Sequence, residues 1–253
     1  MLRGHKICVL WATLLIGIQP AFPGETCRGT LYLTIDTGSM SQAERIAGIL
    51  RSHHVKATFF LANEPTIRGD YTLDDSWAGY WQSLVKDGNA FGSHTWRHGY
   101  LRADLPSGEI RYMVQGAPTR LNKQSFCEEL HRVNVRFEQL TGRKLDHFWR
   151  APGGYTTPNA IGFARDCGYE HVGWSPAGFL GDELPSDRFP NALLAKRAVD
   201  HLRDGDILMM HLGIRSRKDP FAPELDPILT ALQAKGFCFA TLPERKAHVR
   251  VVR

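Results

Sequence analysis

The stretch Leu31-Tyr32-Leu33-Thr34-Ile35-Asp36-Thr37-Gly38-Ser39-Met40 decides how the rest of the chain is read. Its first five residues are apolar or β-branched and of strand length, and they end on a carboxylate followed by turn residues. Met40, Ala43, Ile46, Ala47 and Leu50 then recur at helical spacing, with Ser39 or Ser41 available as the cap. A strand that passes directly into a helix is one βα unit, and the passage repeats. Further short β-like runs fall at 56–61, 90–93, 147–150, 171–175, 206–210 and 237–241. Phe126, Leu130, Val133, Phe137 and Leu140 are again helical in spacing, and Ser125 with Glu128 has the spacing of a capping box. Segments 159–167, 193–203 and 225–235 each stop at or near a glycine. Such alternation predicts an α/β fold with a parallel sheet and helices outside, either open or closed as a barrel. Segments 64–76, 102–122 and 178–190 are polar, carry Gly or Pro, and are expected to be long loops.

Composition narrows the class. Over 253 residues the chain is 43% hydrophobic and 23% charged, with 24 Gly and 14 Pro, which excludes disordered, collagen-like and coiled-coil classes. Its net charge of +5 is thinly spread, without the basic stripe of a nucleic-acid groove, so no nucleic-acid partner is expected. Arg3, His5 and Lys6 precede a mostly apolar run over 7–18, too short for a comfortable bilayer span but suited to a signal peptide. We expect a signal peptide over 1–24, a single domain over 25–253, no transmembrane segment after cleavage, and a secreted or periplasmic location. Losing Arg3 and Lys6 lowers the charge from +5 to +3. Losing Cys8 leaves Cys27, Cys127, Cys167 and Cys238, an even number that suggests disulfides in an exported chain, with four buried free thiols as the alternative.

In a barrel, chemistry belongs at the C-terminal ends of the strands. Asp36 follows the first run; His94 and His98 follow the third in Gly92-Ser93-His94-Thr95-Trp96-Arg97-His98. Arg150 opens Arg150-Ala151-Pro152-Gly153-Gly154, Trp174 ends the fifth run with Asp182 and Glu183 beyond it, and His211 ends the sixth. Each alone has a plain structural reading as a helix cap, an ion-pair partner or a packed histidine. One Asp, three His and one Arg on a common rim are harder to explain that way.

In their order, Thr34-Ile35-Asp36-Thr37-Gly38, the His94–His98 string, Arg150-Ala151-Pro152-Gly153-Gly154 and the strand ending in His211 resemble the motifs of the polysaccharide deacetylases, the NodB-homology carbohydrate esterases. The resemblance runs from about residue 30 to 243. It implies a distorted (β/α)7-type barrel and a secreted hydrolase that removes N-acetyl groups from a glycan, whether peptidoglycan, chitin-like or poly-N-acetylglucosamine. An amide needs an activated water, a stabilised oxyanion and a protonated leaving nitrogen. The resemblance makes Asp36 the base, His211 the acid, and Arg150 the cation that keeps Asp36 ionised. It makes His94 and His98 ligands of a divalent metal, zinc or similar. Gly153 would offer a backbone N–H to the oxyanion, Trp174 and Met209 would wall the acetyl pocket, and Asp182 would orient His211.

The departures are as informative. The family usually carries a second aspartate, a metal ligand, where this chain has Thr37. Three outcomes follow: a His-His site completed by water, Asp36 bending in as a ligand, or a site that works without metal. Some deacetylases of bacterial cell-wall sugars resemble this chain in lacking it, which favours an envelope polymer. Gly153 stands where an aromatic is common, and Ala90-Phe91 replaces a polar pair before Gly92. A glycan-binding relative with weak or no catalysis, or a deacylase of another small amide or ester, are the alternatives. With the first and last strands adjacent in a closed barrel, Cys27 would pair with Cys238, and Cys127 with Cys167.

Overall fold

The computed structural model describes residues 27–245, so the expected signal segment and the 24/25 boundary lie outside the described residues. In chain order the strands are β1 (Gly29–Asp36), β2 (Thr58–Leu61), β3 (Ala90–Ser93), β4 (Tyr100–Asp104), β5 (Ile110–Val114), β6 (Ala117–Leu121), β7 (Phe148–Trp149), β8 (Glu170–His171), β9 (Ile207–His211) and β10 (Phe237–Phe239). The helices are α1 (Ala43–Ser52), α2 (Ala78–Lys86), α3 (Lys123–Thr141), α4 (Pro158–Asp166), α5 (Asn191–His201) and α6 (Leu225–Ala234). Seven strands run parallel in one curled wall, with β2, β3, β7 and β8 succeeding one another on one side of β1 and β9 on the other. A parallel bridge between Phe179 and Met209, with the Ser175 N–H donating to the Ile207 carbonyl, closes the wall. The expected distorted barrel is therefore the fold.

Side-chain alternation gives the wall two buried faces. Leu31, Leu33, Ile35, Phe59, Leu61, Phe91, Leu208 and Met210 pack outward against the helices. Tyr32, Phe60, Phe148, Val172, Ile207 and Leu242 fill the interior. A Cβ at Gly92 would lie 2.8 Å from the Phe60 ring and 2.9 Å from the Phe148 carbonyl oxygen, so glycine there is what lets Phe60 fill the lumen. Truncating a buried Phe of this kind costs about 3–5 kcal/mol.

Both expected disulfides form. Cys27 joins Cys238 across the β1–β10 pairing, and Cys127 on α3 joins Cys167 at the end of α4. Three local expectations need correction. Residues 102–122 are no loop: β4, β5 and β6 form an antiparallel sheet, with Gln115 and Gly116, both at positive φ, making a two-residue hairpin turn. Leu101, Ile110, Tyr112 and Leu121 on that sheet pack on Phe126, Leu130 and Trp149. Helix α3 is capped by Asn122, whose side chain accepts from the Ser125 N–H, so Ser125 lies inside the helix. Neither Ser39 nor Ser41 caps α1, whose entry is fixed by backbone bonds from Ser39 N and Gln42 N to the Gly213 and Leu212 carbonyls. Among the described residues no helix is long and apolar enough to cross a membrane.

Candidate active site

Strand register brings the polar residues together. Asp36 is level with His211 on one side and Phe60 on the other, Phe60 with Gly92, and Ser93 with Trp149. Asp36, His94, Arg150 and His211 therefore share the inward parity of Phe60 and Phe148 and leave the wall at one end. Met209 has the same parity one layer below His211 and is buried.

Arg150 is wholly buried, and each of its three guanidinium nitrogens donates a hydrogen bond. It donates to Asp36 Oδ1 at 2.9 Å, to the Val172 carbonyl at 3.1 Å and to the Gly173 carbonyl at 3.0 Å, with its guanidinium 4.2 Å over the Phe60 ring. Burial alone would raise the pKa of Asp36, but the charge of Arg150 first, with its hydrogen bond, and that of His211 outweigh it and hold the carboxyl below its usual range. On the other side of Asp36, His94 sets Nδ1 2.9 Å from the Arg150 carbonyl and Nε2 3.6 Å from Asp36 Oδ2. A carbonyl only accepts, so Nδ1 carries the proton and the Nε2 lone pair faces the site. Burial lowers the His94 pKa to about 4, and the ring stays neutral.

His211 has the opposite character. Its backbone N–H donates to Asp182 Oδ2 at 2.7 Å, and Nδ1 lies 3.1 Å from Asp182 Oδ1. Burial would depress it, but Asp182 first, then Asp36 and Glu183, raise its pKa to about 9. A depressed carboxylate beside an elevated imidazolium is the pairing that acid–base work needs.

His98 lies away from this pair, with Nδ1 3.5 Å from Glu64 Oε1 and its ring centroid 4.9 Å from that of His94. Thr95 and His98 both adopt positive φ, 64° and 49°, strained values for non-glycine residues. What holds them is outside the barrel: Tyr112 Oη bonds Thr95 Oγ1 and accepts from the Gly99 N–H, and it donates to Glu129. Glu129 also takes the Arg97 N–H and Nε, while its own carbonyl accepts from Trp96 N.

Gly153 sits at φ 66°, where a Cβ would meet Tyr100 at 2.8 Å, and a Cβ on Gly154 would meet Trp174 at 2.7 Å. Tyr100, half-exposed on the β4 edge and 6.1 Å from His98, thus covers the space above Gly153. Sequence reasoning missed Glu64, Tyr100, Tyr112 and Glu129. Glu64 alone carried a usable signal, since it lies three residues past β2, on the same rim as the motifs.

Comparisons agree with this fold. The polysaccharide deacetylase family matches residues 24–172, more than half of the chain, and the chain belongs to that family. An uncharacterized protein of Bacillus subtilis, YlxY, is 25% identical over 83% of this chain and 54% of its own length. The peptidoglycan-N-acetylmuramic acid deacetylase PdaA of Bacillus subtilis is 24% identical over 87% of this chain and 73% of its own. This chain thus spans about half the length of the first relative and nearly three quarters of the second. In fold, a family 4 acetyl xylan esterase from Clostridium thermocellum, solved with cobalt, superposes with a TM-score of 0.67 at 22% identity, over 85% of this chain and 89% of that one. A family 4 pseudoenzyme from Bacillus anthracis gives 0.64 at 21% identity, over 85% and 64%.

The donors present suit a divalent ion of zinc or cobalt type: a neutral imidazole with its outer nitrogen on a carbonyl, a second imidazole and a carboxylate beside it. Among the described residues no three such side chains already stand together at coordinating distance.

Proposed function

We propose that the protein is an exported N-deacetylase of an N-acetylated envelope glycan, peptidoglycan above all. The observation that carries this reading is the register pairing of Asp36 with His211, one carboxylate held ionised by buried Arg150 and one imidazole held protonated by Asp182. Asp36 accepts the proton of the attacking water. His211 then passes its Nε2 proton to the departing nitrogen, while Asp182 keeps Nδ1 in place. His94 and His98 would hold a divalent ion, which when bound acidifies water and polarises the acetyl carbonyl. The Gly154 N–H is already bonded to the Ala151 carbonyl, so we assign the oxyanion to the Gly153 N–H. Trp174 and Met209 border the acetyl methyl. The peptidoglycan deacetylases among the curated relatives and the two disulfides support the substrate and the exported location.

Thr37 favours a second reading, a binder with weak or no catalysis. Acetate release from peptidoglycan, chitin oligosaccharides and poly-N-acetylglucosamine separates the two. Turnover on peptidoglycan that vanishes in His211→Ala is expected. Glycan binding without acetate release from any of the three would overturn the deacetylase reading.

A further inference from the structure

Resting on the deacetylase reading, we propose that Glu64 is this chain's third metal ligand, completing with His94 and His98 the site that Thr37 leaves without its carboxylate. Thr37 and Glu64 lie just past the ends of neighbouring strands β1 and β2. The Thr37 hydroxyl donates to Glu64 Oε2 at 2.6 Å and the Gly38 N–H donates to the same oxygen at 2.8 Å. Together they place a carboxylate directly against position 37, one side chain further along than an aspartate there would reach. The second oxygen, Oε1, is turned to His98 Nδ1 at 3.5 Å. Two donors on the vertices of a tetrahedron, each about 2.1 Å from the centre, stand roughly 3.4 Å apart. The Glu64–His98 separation therefore suits a shared cation, and His94, its ring 4.9 Å from that of His98, has to close on the same point, since no three donors stand at coordinating distance among the described residues.

The arm is built rather than loose. The Glu64 N–H donates to Thr72 Oγ1 at 3.1 Å, its carbonyl accepts from Thr72 N at 2.9 Å, and Arg215 holds the Pro65 carbonyl. Among the described residues the ion-pair partner of Glu64 is His98, with no Lys or Arg within salt-bridge reach. With Oε2 held by Thr37 and Gly38, Oε1 is the oxygen left to face an imidazole, and two histidines with one glutamate is a set zinc hydrolases use. Thr37 becomes the residue that orients the ligand, a role for which a hydroxyl is well suited and a poor ligand need not be.

The test reads metal binding without substrate, so it stands apart from the deacetylase reading. Co2+ titration of the purified protein, followed by visible absorption and by equilibrium dialysis, should show one site. Glu64→Gln should weaken Co2+ roughly 100-fold and change the absorption spectrum, and Thr37→Ala should weaken it roughly 10-fold. Adding Thr37→Asp to Glu64→Gln should restore affinity and spectrum by returning a carboxylate to the site. Should Glu64→Gln not fold, Glu64→Asp, which shortens the arm by one methylene, should still weaken Co2+ measurably. Unchanged affinity and spectrum in the folded Gln variant, or no Co2+ bound by the wild type, would overturn the proposal. Tight Co2+ binding through Glu64 without acetate release from any glycan would leave it standing and sink the deacetylase reading instead.

Discussion

Asp182→Asn isolates the charge that keeps His211 protonated. His211 rises from an ordinary 6.5 to about 9 although burial pulls it down, and Asp182 is the first of the groups that lift it. A raised pKa means that the acid form is present below that value and is lost as pH rises through it. The wild type should therefore keep its general acid up to about pH 9. Without the Asp182 charge we expect the alkaline limb to fall to about pH 7, each unit being worth about 1.4 kcal/mol of differential interaction. At pH 8 the protonated fraction would drop from about 0.9 to about 0.1, while at pH 6 it would fall only from nearly 1 to about 0.9. The assay is kcat/KM on an N-acetylated oligosaccharide between pH 5.5 and 10. Asparagine also loses one acceptor for the His211 backbone N–H, which adds a loss independent of pH. An alkaline limb in the variant that coincides with the wild-type limb would refute the reasoning, whatever the height of the curve.

Asp36→Asn should abolish turnover and strand the buried Arg150 charge, costing about 3 kcal/mol and lowering Tm by roughly 6–12 °C in a thermal melt. Adding Arg150→Met should recover much of that Tm and none of the activity. The disulfides close separations of 211 and 40 residues, so chain entropy assigns them about 5 and about 4 kcal/mol. Cys27→Ala/Cys238→Ala should therefore melt earlier while kcat at 25 °C is unchanged, and thiol titration of the denatured, unreduced 27–245 segment should find no reactive groups. Gly153→Ala should lower kcat as well as raise KM, because a side chain at φ 66° strains the backbone whose N–H faces the oxyanion and its Cβ strikes Tyr100; Tyr100→Ala in the same chain should relieve only the part due to that clash.

Strand alternation makes the rim legible in the sequence. Asp36, His94, Arg150 and His211 each end an apolar run, and the shared parity that aims them inward follows from those runs being strands. The Cys27–Cys238 pairing is legible for the same reason, since barrel closure sets β10 beside β1, and Cys127–Cys167 because the helices that carry them flank the Arg150 strand. Other features left weaker traces. The hairpin at 114–117 turns on Gln115-Gly116, which lacks the asparagine or aspartate that usually announces such a turn. Helix α3 starts ahead of its apolar stripe because Lys123 and Gln124 face solvent, so periodicity placed the cap three residues late. Glu64 has its place three residues past β2 as a signal but no motif context, and its meaning depends on Thr37 lying across from it, just past the end of the neighbouring strand β1.

Tyr112 and Glu129 have a consequence for timing. They lie on β5 and α3, outside the barrel, and fix the Thr95–His98 backbone without help from anything bound in the site. The cost of holding two residues at positive φ is thus met once, as the chain folds. An incoming ion or sugar has no histidine loop to organise, so its arrival should be limited by encounter and desolvation, and the loop should exchange its amide protons as slowly in the empty protein as in the occupied one.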